Sequence, residues 1–365
     1  MRPIVRTARL AHAHARGLLA YSGGLPRGGD IRVTYGLGIP AHDQSAVGGI
    51  VKLQHLSALY PEERRRFNVV YFVSSRLPDG ALPLAAWARR KGARVVLNQN
   101  GVAYPAWYGP GWERENAPMT ALLRMADHVF YQSRFCHESA DRFAGSATGA
   151  SEILYNCVDT RRFVPAPRPE HRPPTLLLGG SQDQWYRLDS ALRALSALVR
   201  GGLDARLIVT GRLRWTLDRA RAEREATALV QSLGLESRVE FTGPYTQAQA
   251  PTIFQRADVL VHTKYNDPCP TVVIEGLATG LPVVYSSSGG VPELVGSEAG
   301  IGIPSERSWD VDIPPNPEAV AAAVDRVWRH REQYGRAARD RATTRFDVTM
   351  WLARHRAVFA SLVAR

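Results

Sequence analysis

The sequence predicts an α/β protein made of two successive doubly wound domains, and three observations carry that prediction. The 365 residues exceed what one hydrophobic core organises, so two domains of roughly 150 to 200 residues are expected. Short β-branched runs alternate with helix-length segments, the order expected of parallel βαβ crossovers. That alternation breaks once, at a Pro-rich charged stretch, and then restarts.

In the first half, "IRVTY" from Ile31, "NVVYFV" from Asn68, "RVVLN" from Arg94, "HVFYQ" from His128 and "EILY" from Glu152 read as five buried strands. The break is "VPAPRPEHRPP", residues 164–174, which neither a helix nor a central strand tolerates. The pattern resumes with "TLLL" at Thr175, "RLIV" at Arg206, "VEF" at Val239, "VLVH" at Val259 and "PVVY" at Pro282. Leu188, Leu192, Leu195 and Val199 recur at helical spacing, and Pro317 opens a further amphipathic helix. The expected division is a basic leader over 1–29, a first domain over 30–165, a linker over 166–174, a second domain over 175–345 and a C-terminal helix over 346–365 packing back on the first domain. In such sheets ligands bind at the carboxyl ends of the strands, which places the expected site in a cleft between the domains.

Composition narrows the function. Hydrophobic content of 45% and charged content of 22% suit a folded enzyme rather than a disordered chain. The net charge of +12 comes mostly from arginine, with lysine only at positions 52, 91 and 264. No basic run interleaves with aromatics in a nucleic-acid-binding pattern, so no nucleic-acid partner is expected. Cys136, Cys157 and Cys269 are far apart and odd in number, which reads as reduced thiols in a cytoplasmic protein. No apolar run reaches the ~20 residues of a membrane span. The leader sets Arg2, Arg6, Arg9 and Arg16 beside Leu10, Leu18 and Leu19. It reads either as a peripheral contact with an anionic membrane face or as a frayed basic extension.

The most informative stretch is "YNDPCPTVVIEGLATGLPVV", residues 265–284. Pro268 and Pro270 forbid helix before residue 270, and Pro270 suits the first helical position. Asp267 then lies on a loop and Glu275 in the second helical turn, up to ~12 Å apart at a rise of 1.5 Å per residue. Glycosidase carboxylate pairs lie about 5 to 9.5 Å apart, so a paired acid/base hydrolase is disfavoured. Between the two lies a helix start with free N–H groups at Thr271, Val272 and Val273, which suits a phosphate. A carboxylate on each side suits hydroxyls flanking that phosphate, and His262 and Lys264 at the same strand end add positive charge.

At these residues the chain resembles retaining glycosyltransferases of family 4, which have the GT-B fold. Their E-x7-E motif corresponds to Asp267 and Glu275, and "GLPVV" from Gly280 and "GGVPE" from Gly289 follow intact. "AVGGIVKLQHL" around Gly48 and Gly49 resembles the family's glycine loop, "ILYNCVDTRRFVP" the segment before the linker, and "FTGPY", with Gly243 and Tyr245, the loop beside the base. The resemblance implies a nucleotide-sugar donor, UDP-, GDP- or ADP-linked, and no further cofactor. It implies that Glu275 binds the ribose and Asp267 a donor-sugar hydroxyl, with Thr271 and Val272 on sugar and diphosphate and Lys264 and Cys269 beside them. The family's diphosphate-binding Arg and Lys correspond to Ser181 and Arg187, so Arg187 is the expected diphosphate cation. Asp267, Glu275 and Arg187 are therefore the candidate catalytic residues.

The first domain is expected to hold a glycan or lipid-linked acceptor. Residues 97–117 gather Asn98, Asn100, Tyr104, Trp107, Tyr108 and Trp112 in a stretch too irregular for a helix; these aromatics either stack on sugars or pin the loop to the core. Ser133 is a plausible helix cap, and His137 reads as structural. "WDVD", with Asp310 and Asp312, mimics a metal-binding D-x-D, but no metal is expected. "GLGIPA" from Gly36 mimics a dinucleotide loop, interrupted by Pro40. The leading reading is a retaining, metal-independent glycosyltransferase of polysaccharide or glycolipid synthesis. The alternatives are a sugar-nucleotide-binding protein that has lost transfer and, third, a GT-B-fold epimerase or phosphorylase.

The leader yields the first test. Removing residues 1–28 should weaken sedimentation with anionic vesicles and abolish its salt dependence; equal binding by the shortened chain refutes a membrane role.

Overall fold

In the computed structural model, residues 30–40, 48–167 and 172–364 are described; the basic leader and the middle of the expected linker lie outside them. The described residues form two compact units, one of residues 30–40, 48–155 and 349–364, the other of residues 156–167 and 172–348. The boundary after Tyr155 puts residues 156–165 in the second unit rather than the first. Their contacts explain this: Asn156 Nδ2 donates to the Cys269 carbonyl at 2.7 Å, and the Val158 N–H to the Phe346 carbonyl at 2.9 Å.

The first unit is a parallel sheet of β1 (Val33–Thr34), β2 (Val69–Val73), β3 (Arg94–Gln99), β4 (His128–Tyr131) and β5 (Ala150–Ile153), arranged in that order. Period-two alternation assigns its side chains. Val70, Phe72, Val95, Leu97, Val129 and Tyr131 face the helices Ala81–Arg90, Trp112–Met125 and Arg134–Phe143 in one core. Ser133 caps the last of these, its hydroxyl accepting from the Cys136 N–H at 3.0 Å. The opposite face presents Tyr71 and Phe130 to the helix Val348–Val363, where His355 meets Phe130 at 4.4 Å and Phe359 meets Tyr71 at 6.0 Å between ring centres. The 97–117 stretch is more ordered than expected, with a short helix Pro105–Tyr108 and the start of Trp112–Met125. Gly109 and Gly111, at φ 76° and 94°, supply the reversal between the two.

The second unit is a parallel sheet of β6 (Thr175–Leu178), β7 (Arg206–Thr210), β8 (Val239–Gly243), β9 (Val259–His262), β10 (Val283–Ser286) and β11 (Gly300–Ile303), in the order β11-β10-β9-β6-β7-β8. The sequence reading missed β11, whose "GIGI" lacks a β-branched run. Leu176, Leu178, Leu207, Val209, Val259 and Val261 pack against the helices Trp185–Arg200, Arg219–Ser232 and Pro317–Arg329. On the other face the helix Thr271–Ala278 lies so close to β9 that a Cβ on Gly276 would stand 2.8 Å from Leu260 Cδ2. The helix Arg331–Arg345 covers it, with Arg339 donating to the carbonyls of Ala278 at 2.6 Å, Phe163 at 2.7 Å and Thr160 at 2.9 Å. The order reverses at β6, since β7 and β8 extend to one side and β9 to β11 to the other. A ligand crevice is expected at the carboxyl ends of β6 and β9.

His355 gives the first unit a pH signature. Its Nδ1 lies 2.8 Å from the Trp351 carbonyl and its Nε2 3.0 Å from the Tyr71 hydroxyl, the pattern of a neutral ring. Burial, with the charges of His128, Lys52 and Arg354 added, pushes it down to about 3. Below about 6.5 the unfolded chain takes up a proton that the folded one refuses, so stability falls with falling pH until about 3, at about 1.4 kcal/mol per unit. Between pH 6.5 and 5, urea denaturation should register a loss of about 1.6 kcal/mol from this residue, absent in His355→Gln.

Candidate functional site

The reversal point brings together the loop after β6 and the loop after β9. Gly179 follows β6 with no room for a side chain, since a Cβ there would lie 2.4 Å from Val272 Cγ2. The loop therefore rests on the first turn of the helix Thr271–Ala278. The Gly180 N–H donates to Thr210 Oγ1 at 3.0 Å, and in the loop after β7 the Arg212 carbonyl accepts from the Gln182 N–H and the Arg214 N–H donates to the Gln182 carbonyl, both at 2.8 Å.

Arg187 projects from the first turn of Trp185–Arg200 into this layer and is only 3% exposed. Its NH1 donates to the Ser181 carbonyl and its NH2 to the Gly179 carbonyl at 3.3 Å, while Nε has no partner. Two of its donors thus hold the protein's own loop rather than standing open to a ligand. Ser181, at the family's other cationic position, accepts through Oγ from the Arg212 N–H at 3.4 Å.

Asp267 is the centre of charge. His262 Nε2 lies 3.1 Å from Oδ2 and Lys264 Nζ 3.7 Å from it. Burial alone would raise its pKa, but Lys264, His262 and Arg187 outweigh burial and hold the carboxyl well below the usual carboxylate range. Burial pushes His262 down, so a neutral ring donates Nε2–H to the carboxylate and keeps an unpartnered, buried Nδ1. The backbone is fixed as tightly: Gly290 N–H donates to the Asp267 carbonyl at 2.9 Å. Gly289 takes φ 64°, and a Cβ on it would lie 2.5 Å from that same oxygen, which accounts for the Gly pair of "GGVPE". Asn266 adopts φ 49°, tolerated because its N–H and amide are both bonded, to Ser288 Oγ at 2.8 Å and the Ser308 carbonyl at 2.9 Å.

Glu275 lives in the opposite environment. It is 4% exposed, and Gln247 Nε2 reaches Oε1 at 3.3 Å. Burial pushes its pKa up to about 7, against the lowering effect of Gln247 and the Arg162 charge. The two carboxylates are therefore not equivalent: Asp267 is ionised throughout, and Glu275 titrates near neutrality.

Between them the helix begins one residue later than the sequence suggested, with Pro270 as its cap at ψ 119°. The Val273 N–H turns back to the Pro270 carbonyl at 3.1 Å, leaving the N–H groups of Thr271 and Val272 without a backbone acceptor. Cys269 is buried and contributes its carbonyl to Asn156. Gly243 ends β8 at φ 69° and accepts from the Gly211 N–H at 2.8 Å. The Tyr245 hydroxyl faces Thr210 and the Gly180 backbone. Thus Ser181, Arg187, Tyr245, Lys264, Asp267, Thr271 and Val272 lie on loops or first helical turns, Gly243 at the end of β8 and Glu275 one turn into its helix, all at one end of this sheet.

The residues expected in the first unit divide differently. Asn98 is fully buried, its Oδ1 accepting from Lys52 Nζ at 3.2 Å and Gln132 Nε2 at 2.7 Å. The Asn100 N–H donates to Ser74 Oγ at 2.8 Å. Tyr104 is buried 5.9 Å from Phe143, which also holds Trp112 at 5.2 Å, so these two aromatics pin the segment. Trp107, 40% exposed, faces outward. Gly48 and Gly49 open the helix Gly48–Leu59, where a Cβ on Gly49 would meet Ser75 Oγ at 2.8 Å. Sequence reasoning passed over Tyr186, Gln247 and Gly179, which carry no motif signal of their own. It noticed Asp312 only as part of a metal-like D-x-D.

Comparisons with known proteins bear on the family and the fold. Residues 160–341 match the family of glycosyl transferases group 1. A glycogen synthase of Mycobacterium tuberculosis is 25% identical over 253 residues, 67% of this chain and 56% of that protein. A GDP-mannose-dependent alpha-(1-6)-phosphatidylinositol monomannoside mannosyltransferase of Mycolicibacterium smegmatis is 32% identical over 249 residues, 59% of each. The aligned region thus spans little more than half the length of these relatives. Among solved structures, Anabaena HepE in complex with UDP and glucose superposes with a TM-score of 0.64 at 18% identity, over 86% of this chain and 81% of that one. A sucrose-phosphate synthase of Thermosynechococcus elongatus gives 0.63 at 20% identity, over 87% and 77%. At these identities the superpositions establish the fold.

Arg187 supplies the stability test of this site. Arg187→Met, which leaves two carbonyls and Asp267 without their buried cation, should lower unfolding free energy by about 3 kcal/mol. Arg187→Lys, which keeps charge but not the fork, should fall between it and the parent in denaturant midpoint.

Proposed function

Because the chain belongs to the glycosyl transferases group 1 family and has the GT-B fold, we propose that it is a retaining, metal-independent glycosyltransferase. It moves a sugar from a nucleotide-sugar to a hydroxyl of a glycan or lipid-linked acceptor. The observation that carries this reading is the open helix start at Thr271 and Val272 between two carboxylates of opposite character. The amides and the helix dipole meet the diphosphate. Buried Glu275 accepts from the ribose, taking the place Gln247 holds in the free protein. Asp267, ionised at every working pH, accepts from the donor sugar.

In this reading the acceptor oxygen bonds to the anomeric carbon on the face from which the diphosphate leaves. The carbon–oxygen bond to phosphate breaks, and the acceptor's proton passes to a phosphate oxygen. No protein base is required; alignment and stabilised diphosphate charge supply the catalysis. Arg187 acts by fixing the Gly179–Ser181 loop and by adding a buried positive charge. The first unit holds the acceptor, with Trp107 and Tyr108 the outward aromatics, on a protein working in the cytoplasm at or near the membrane face. One observation favours a second reading, binding without transfer: Ser181 replaces a basic residue and Arg187 is engaged by its own loop. Nucleotide-sugar binding with neither transfer nor slow donor hydrolysis identifies that case.

A thermal-shift panel of UDP-, GDP- and ADP-sugars identifies the donor. With it, Glu275→Ala should abolish turnover while leaving the folded protein intact, and unchanged turnover rejects the assignment. Donor binding to ionised Glu275 also releases a proton, so affinity should weaken as pH falls below about 7, by up to about tenfold per unit. Titration calorimetry with the nucleotide-sugar, whose diphosphate does not itself titrate there, should show that slope in the parent and a flat profile in Glu275→Gln.

A further inference from the structure

Between β11 and the helix Pro317–Arg329 runs an irregular segment, residues 304–316, whose composition suggests only a Pro-rich connection. It is instead hooked onto the loop that carries Asp267. The Tyr265 hydroxyl donates to the Glu306 carbonyl at 2.7 Å and accepts from the Ser308 N–H at 2.7 Å. Asn266 Nδ2 donates to the Ser308 carbonyl at 2.9 Å. Trp309 beside them is 6% exposed, with the Arg307 guanidinium 5.2 Å from its ring centre. Tyr265 and Asn266 are themselves 2% and 3% exposed. These hooks are therefore protected from competing water and hold one register.

That register delivers Asp312 to the polar end of the site. Its carboxyl is half-buried and faces the Tyr186 hydroxyl and the Lys264 ammonium. Tyr186 precedes Arg187 in the first turn of Trp185–Arg200, and its hydroxyl accepts from the Tyr265 N–H at 3.0 Å. Lys264 Nζ lies 3.7 Å from Asp267 Oδ2, and its charge also acts on Asp312. Anchoring the segment does not require this carboxylate, because the hooks are Tyr265 and Asn266 acting on backbone. Meanwhile Pro268 and Pro270 remove two N–H donors from the loop, which leaves side chains a larger share of recognition there.

Resting on the donor seat proposed above, we propose that Asp312, Lys264 and Tyr186 form the surface that reads the hydroxyls of the donor's sugar, with Asp312 the residue that discriminates among sugars. Each group suits a polyol: the carboxylate accepts from one or two adjacent hydroxyls, and the ammonium and phenol donate to their oxygens. The segment after β11 is then a specificity element rather than a connector. Nucleotide and diphosphate recognition stays with Glu275 and the amides of Thr271 and Val272, so the two functions separate by mutation.

Asp312→Asn keeps the shape and Asp312→Ala removes the group. For each, calorimetry compares the nucleoside diphosphate with its nucleotide-sugar, using UDP with UDP-glucose and GDP with GDP-mannose, and thermal denaturation checks the fold. The expected result is an affinity for the free diphosphate within twofold of the parent. The matching nucleotide-sugar should weaken tenfold or more, and preference among epimeric sugars on one nucleotide should be lost. Unchanged sugar affinity overturns the proposal, as does equal weakening of diphosphate and sugar, which would mark Asp312 as structural. If the parent binds none of UDP, GDP and ADP or their sugars, the donor seat itself fails, a result distinct from either.

Discussion

The site in the second unit depends on one buried balance of charge, Arg187 against Asp267. A guanidinium removed from water is costly unless its donors and its charge are both answered. Here the Gly179 and Ser181 carbonyls answer two of its donors, leaving Nε without a partner, and Asp267 answers the charge. The arrangement ties the loop after β6 to the loop after β9, the two strands at which the sheet reverses direction. His262 and Lys264 then keep Asp267 ionised, so the loop that precedes the open helix start cannot shift without separating buried charges. Glu275, eight residues further on, has no cation of this kind within the same network and responds to its burial by holding its proton more tightly.

Much of the fold was legible because it rests on local pattern. Ten strands stood out as β-branched runs, and the helix with Leu188, Leu192 and Leu195 showed its apolar stripe directly. β11 did not, because Gly300 and Gly302 are chosen there for close packing: a Cβ on Gly300 would fall 2.0 Å from the Val283 carbonyl oxygen. The two helical turns at Pro105 and Trp112 were hidden by Gly and Pro, whose turn-forming signal outweighs a pair of ring contacts to the distant Phe143.

The candidate site was legible at the level of motif and less so at the level of role. Spacing and proline positions located the open amides, although the Val273 N–H proved committed to Pro270. Which atoms a side chain spends on its own protein is set by tertiary contacts, and no spacing encodes them. Arg187 reads from sequence as a cation for a ligand, yet its donors face two carbonyls. Asn98 reads as a polar group at a strand end, yet it is enclosed with Lys52 and Gln132. Gln247 and Tyr186 belong to no motif and acquire meaning only from Glu275 and Tyr265 beside them.

The helix that supplies His355 has a consequence for how the protein is made. The first unit's sheet is complete by Ile153, but Tyr71 and Phe130 on its second face wait for residues near the end of the chain. At about 5 to 20 residues per second, a ribosome needs about ten seconds or more to synthesise the roughly two hundred residues in between. During that interval the earliest-made unit carries an uncovered aromatic surface, while the second unit, contiguous from Asn156 to Val348, can fold without waiting. Of the two units, the one translated first is thus the one whose folding is completed last.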